Sequence, residues 1–142
     1  MSTNTTTRAM LKGFLKLPIG WHFREGVPPT EHAVQVATDL INELEALGYN
    51  DTHPFPGIEG EIGITVYSSY GYFECTLETN GTWELAHHQR RAIPEGVTKS
   101  NTESLPYHYK EGMSSSELLD IFPTPQSNRG LMEFILNNPT TD

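Results

Sequence analysis

The chain of 142 residues carries 18 acidic against 9 basic side chains, for a formal charge of −9, with 36% hydrophobic residues and a single cysteine, Cys75. That length is one ordinary domain with one core, and the negative charge repels phosphate backbones, which sets nucleic acid aside as a direct ligand and leaves basic protein surfaces as partners. One cysteine excludes an internal disulfide framework and a thiolate-rich metal site within the chain.

No apolar run approaches the roughly 18 residues a membrane helix needs, and the opening residues lack a signal peptide's apolar core. A cytoplasmic protein is therefore expected. The same acidity also serves solubility, because net charge bears on association and not on fold.

Residues 1 to 7, MSTNTTT, are polar and repetitive and predict a disordered tail. From residue 8 to 17, Met10, Leu11, Phe14, Leu15 and Leu17 recur at helical spacing, so a short amphipathic helix should end near Pro18. In the following GWHFREGVPP, Trp21 and Phe23 alternate with His22 and Arg24. One side of such a loop can pack while the other stays available. Trp21, Phe23 and Arg24 are thus candidate anchors for a protein partner, with simple packing as the alternative for Trp21.

Pro28 and Pro29 cannot continue a helix, but Thr30 is a natural cap and Glu31 suits the positive end of a helix dipole. Beyond them Ala33, Val34, Ala37, Leu40, Ile41, Leu44 and Leu47 form one stripe, and Gly48 terminates it, predicting a helix over 31–47.

Period-two alternation then replaces the helical period. Ile62, Ile64 and Val66 form one apolar set; Phe73, Cys75 and Leu77 form a second; Trp83, Leu85 and His87 a third. The SSYG segment joins the first two strands, and Asn80-Gly81 predicts a two-residue type I′ turn between the second and third. That register sets Glu78 opposite Trp83 and mixes the faces. A bulge or a three-residue loop would restore them.

On the restored register Glu74, Glu78 and Glu84 share a solvated outer face, where they are candidates for contact with a basic partner. Residues 92–113 are rich in Pro, Gly, Ser and charge and predict a long irregular excursion in which a short fourth strand could hide. SSSELLDIF and NRGLMEFILNN then predict two short helices. The expected fold is α+β, a single domain over 1–142. An antiparallel sheet of three to four strands is packed by one long helix and short terminal helices.

No familiar reaction motif occurs. His87 and His88 are adjacent on a strand and so point to opposite faces, which prevents a shared metal ion. Cys75 lies in an apolar strand face, where a thiol is inert. The glycines of GIEGEIG precede a strand where a phosphate loop would precede a helix. No metal and no cofactor is expected. The rival to a binding protein is a small hydrolase-like enzyme using His53, His87 and Glu74.

Three segments, GWHFREGVPPTEHAVQVATDLI, HPFPGIEGEIGITVY and ETNGTWEL, together resemble a group of small uncharacterised bacterial proteins found on mobile elements. The shared pattern is a G-W-x-F/Y-x-x-G-x-P-P start, one helix, and an F-P-G/D-x-x-G-x-I strand. It covers roughly residues 15–88, carries no catalytic residue, and does not extend over 92–142. The resemblance implies an antitoxin-like, immunity or host-defence-inhibitor role such as an anti-CRISPR. The partner it implies is a basic nuclease complex or a toxin.

Overall fold

In the computed structural model, residues 2–88 and 107–138 are described. The first helix, α1 (Asn4–Gly13), begins inside the segment expected to be a disordered tail. Its polar side chains find buried partners, which composition alone does not reveal: the Asn4 side-chain amide donates to the Tyr49 carbonyl at 3.0 Å, and Thr52 Oγ1 donates to Asn4 Oδ1 at 2.7 Å. Thr7 Oγ1 donates to the Thr52 carbonyl at 3.0 Å. A polar segment with every buried group satisfied can order where an unsatisfied one cannot. A 3-10 turn, Phe14–Lys16, follows, and Leu17 is extended before Pro18, as the residue preceding a proline prefers.

Helix α2 (Glu31–Ala46) forms as the stripe predicts. The Thr30 side chain accepts from the Ala33 backbone amide at 3.1 Å, and Gly48 adopts φ 100° just past the end. Val34, Ala37, Leu40, Ile41 and Leu44 are buried. A fully buried Leu or Ile contributes about 1.5–3 kcal/mol, so this stripe fixes the helix against the sheet.

The sheet has five antiparallel strands in sequential order, one or two more than the alternation predicts. They are β1 (Thr52–Pro56), β2 (Ile62–Ser68), β3 (Gly71–Leu77), β4 (Trp83–His88) and β5 (Tyr107–Met113). β1 escapes a pattern reading because its sequence is THPFP. Proline removes ladder donors and is tolerated on an edge strand, which is where β1 lies. His53 sits on this edge strand. β5 emerges at the end of the stretch expected to be irregular; residues 92–106 of that expectation lie outside the described residues.

The β3–β4 turn corrects the expected two-residue connection. Leu77 pairs with Trp83, Glu78 N donates to the Thr82 carbonyl at 2.8 Å, and the loop is Thr79, Asn80 and Gly81. Gly81 takes φ 89°, the left-handed residue that a three-residue hairpin loop requires. This longer loop puts Phe73, Cys75, Leu77, Trp83, Leu85 and His87 on one buried face. Across the β4–β5 pair the register shifts between Trp83 and Leu85, a bulge at the start of β4.

Helices α3 (Ser115–Leu119) and α4 (Arg129–Asn137) add Leu118, Leu131 and Phe134 to the core. A capping box at Ser114 and Glu117 starts α3, and Trp83 Nε1 donates to Ser115 Oγ at 3.0 Å. Phe122 packs on Phe73 and Tyr49 with ring centroids 4.3 and 5.2 Å apart, closing the core under the sheet. Among the described residues, no helix is long and apolar enough to cross a membrane.

Candidate protein-interaction surface

Residues 20–26 fold into a small hairpin finger. His22 N donates to the Glu25 carbonyl at 2.7 Å, and Glu25 N returns a bond to the His22 carbonyl at 2.8 Å. Phe23 and Arg24 form its two-residue tip. Both hold positive φ, 49° and 74°, as in a type I′ turn, where Asn-Gly would be the usual occupant. Phe23 is 88% exposed and Arg24 is exposed too.

Trp21 is the post of this finger and not its tip. The side chain is half-buried, its Nε1 donates to the Val27 carbonyl at 3.3 Å, and its ring lies over Gly26 so closely that a Cβ there would approach Nε1 to 2.7 Å. His22 bridges Trp21 and Phe23 by edge contacts, with centroids 5.4 and 4.9 Å apart. The aromatic alternation thus stiffens the finger and leaves Phe23 displayed.

Glu74, Glu78 and Glu84 all lie on the sheet face opposite the core. They are not equivalent. Glu74 sits 3.7 Å from His88 Nε2, and His88 stacks on Tyr72 with centroids 4.4 Å apart and planes at 7°. Tyr67 lies 6.4 Å beyond Tyr72, so one end of this face is aromatic. Glu78 and Glu84 occupy the other end, beside the β3–β4 turn. Glu84 accepts from Tyr109 Oη at 2.8 Å, and Glu111 lies 3.3 Å from the same oxygen.

This crowding is legible in protonation. Partial burial first, then a hydrogen bond with Glu84 and the charges of Glu84, Glu61 and Glu111, push the Glu78 carboxyl above its ordinary range. Burial, followed by Glu84 and Glu111, pushes the Tyr109 hydroxyl above its ordinary range. Glu78, Glu84 and Glu111 line one side of a shallow dish of about 420 Å³.

A cleft lies between the dish and Val27-Pro28, the residues that follow the finger. Val27 N donates to the Ile58 carbonyl at 2.8 Å, tying the finger's base to the β1–β2 turn. Beside it, Val27, Pro28, Ala33, Val36 and Leu77 line a cavity of about 210 Å³ whose rim carries Glu59, Glu78 and Thr79. Glu78 and Thr79 border both the cleft and the dish. Sequence reasoning reaches Glu78 but misses Glu111, Glu59 and the cleft. The Pro28-Pro29-Thr30 helix start and the glycines of GIEGEIG were the available signals, since both mark where backbone turns converge at one end of the sheet.

The three side chains of the enzyme reading stay apart. His53 is exposed on β1, whereas His87 is buried on the core face of β4 with Nε2 at 2.9 Å from the Tyr70 carbonyl, and Glu74 occupies the opposite face. His53, His87 and Glu74 are not brought together. Among the described residues, no group of three or more His, Cys, Asp or Glu side chains is placed to hold a metal ion. Cys75 is fully buried, and that burial pushes its thiol far above the usual range. No known protein family, curated protein or solved structure matches the chain.

Proposed function

We propose that this protein is a non-enzymatic binding module that masks or inhibits a basic partner protein, of the kind a nuclease complex or a toxin would present. The observation that carries the reading is the gathering of Glu78, Glu84 and Glu111 at one end of an open sheet face, in a molecule that also displays Phe23 and Arg24 at the tip of a stiff finger. Carboxylates so placed steer a basic partner by long-range attraction, while an exposed aromatic at a rigid tip supplies an anchor. The net charge of −9 acts in the same direction over the whole surface. The resemblance of residues 15–88 to mobile-element proteins is consistent with a mask or inhibitor.

The test begins with a partner captured from the native host and identified by mass spectrometry. Association measured by surface plasmon resonance should slow as salt rises, because exposed charges are screened beyond about 10 Å at 0.1 M. The triple variant Glu74→Gln, Glu78→Gln, Glu84→Gln should reproduce much of that slowing with the fold intact and no loss of melting temperature. Phe23→Ala should instead accelerate dissociation. Salt-insensitive association together with a wild-type rate for the triple variant would reject the reading.

A further inference from the structure

We infer that the cleft between the start of α2 and the β3–β4 turn seats one apolar side chain of a lysine- or arginine-bearing peptide segment. The inference rests on the binding reading above and specifies its chemistry. At about 210 Å³ the cleft is smaller than the roughly 300–1,000 Å³ of sites that enclose whole small molecules. It is larger than an apolar cavity of about 150 Å³ that holds benzene, so it has room for one aliphatic or aromatic group. Its floor is apolar, from Val27, Pro28, Ala33, Val36 and Leu77.

The rim selects the neighbours of that side chain. Glu59 and Glu78 border the opening, and the dish carrying Glu84 and Glu111 continues from Glu78. An acidic ligand would meet Glu59 and Glu78 at the cleft, where His32 also lies, and Glu84 and Glu111 in the adjoining dish. A purely cationic ligand would leave the apolar floor wet. A chain that alternates an apolar residue with cations satisfies both, and it also relieves the crowding that holds the Glu78 carboxyl above its ordinary range. A second copy of this chain could offer Phe23-Arg24, but it would bring another net charge of −9 toward the same carboxylates. The favoured occupant is therefore a basic segment of a different protein.

The probe is a capped peptide with a central leucine flanked by lysines, compared with a serine-centred version and a glutamate-flanked version. Binding is followed by amide chemical shifts in the full chain. The leucine-lysine peptide should bind saturably and move the amides of Ala33, Val36, Leu77 and Thr79. The serine version should bind roughly tenfold or more weakly, the scale of burying one leucine, and the glutamate version should not bind. Ala33→Phe, which fills the cleft, should abolish the shifts. Thr79→Arg, an exposed rim change that leaves the core untouched, should weaken the lysine peptide at least several-fold even if Ala33→Phe folds poorly.

Equal affinity for leucine and serine peptides, or wild-type binding by Thr79→Arg, would overturn the inference. So would sedimentation showing self-association that Phe23→Ala abolishes while the cleft amides are protected only in the associated state. With a captured partner, binding lost in the triple glutamate variant but retained in both cleft variants would reject the cleft and keep the binding module. Binding unaffected by all of them would reject both.

Discussion

Phe23 and Arg24 sit side by side with φ of 49° and 74°, two consecutive side-chain-bearing residues in the left-handed region at the tip of one hairpin. Each such residue costs roughly 1–2 kcal/mol relative to a conformation that L residues prefer. Strain of that kind persists only where surrounding structure over-determines it, here the paired His22 and Glu25 backbones and the Trp21 post. Replacing the tip with the pair a type I′ turn favours, Phe23→Asn with Arg24→Gly, should therefore stabilise the protein by about 1–2 kcal/mol and raise the melting temperature by a few degrees. The same variant should bind the partner more weakly. Calorimetry showing an unchanged or lower melting temperature would remove the strain argument.

A second close approach lies on the outer sheet face, where Phe55 of β1 pairs with Gly63 of β2. A Cβ at position 63 would clash with the Phe55 ring, so the ring occupies the space a side chain would take. Gly63→Val should destabilise the wild-type protein by about 1 kcal/mol, because the half-exposed ring can swing aside only by losing its contact. In a Phe55→Ala background the sign should reverse, since valine suits a strand better than glycine when nothing is in its way. A double-mutant cycle in urea measures this, and additive effects would show that the two residues do not share the space.

Much of the fold was legible because apolar periodicity is a direct record of burial. The Val34 to Leu44 stripe and the alternation of Ile62, Ile64 and Val66 read correctly for that reason. What was not legible depended on partners far along the chain. Nothing in MSTNTTT indicates that Asn4 and Thr7 will bond to Thr52 and Tyr49, more than forty residues away. Prolines hide β1, since Pro54 and Pro56 violate the rule for a central strand and are permitted only at an edge. Of the candidate site, Phe23, Arg24 and the three glutamates follow from local pattern. Their gathering with Glu111 and the cleft depends on which turns meet at one end of the sheet, which one strand's alternation cannot specify.

His87 offers a pH test of the buried face. Burial is the main cause that lowers its pKa from 6.5, with His108 and His88 adding in the same direction and the bond to the Tyr70 carbonyl opposing them. The folded state thus refuses a proton that the unfolded chain accepts. Stability should be full above about pH 6.5 and fall as pH drops below it, until the depressed folded value is reached. His87→Gln keeps an amide donor for the Tyr70 carbonyl but does not titrate. Its urea midpoint should decline less between pH 7.5 and 5 than that of the wild type. Parallel declines would assign the acid sensitivity to other groups.

Glu78 should behave in the opposite sense, and it links stability to binding. Its carboxyl titrates above the ordinary value of 4.5, first because it is partly buried and then because Glu84, Glu61 and Glu111 surround it. Between the unfolded and the raised folded value the folded state holds the extra proton. Stability from this group is therefore greatest below about pH 4.5 and is lost as pH rises through the folded value. Glu78→Gln should remove that loss, so the variant should match the wild type at pH 4 and exceed it at pH 7. The carboxylates are partly exposed and screened, which limits the gain to at most about 1 kcal/mol at low salt and less at high salt. A basic partner would relieve the same repulsion, so Glu78→Gln should stabilise the free protein while slowing its association with that partner. Thermal melts at the two pH values, paired with association rates, test both halves. A variant less stable than the wild type at pH 7 would show that Glu78 acts as a structural acceptor and not as a crowded charge.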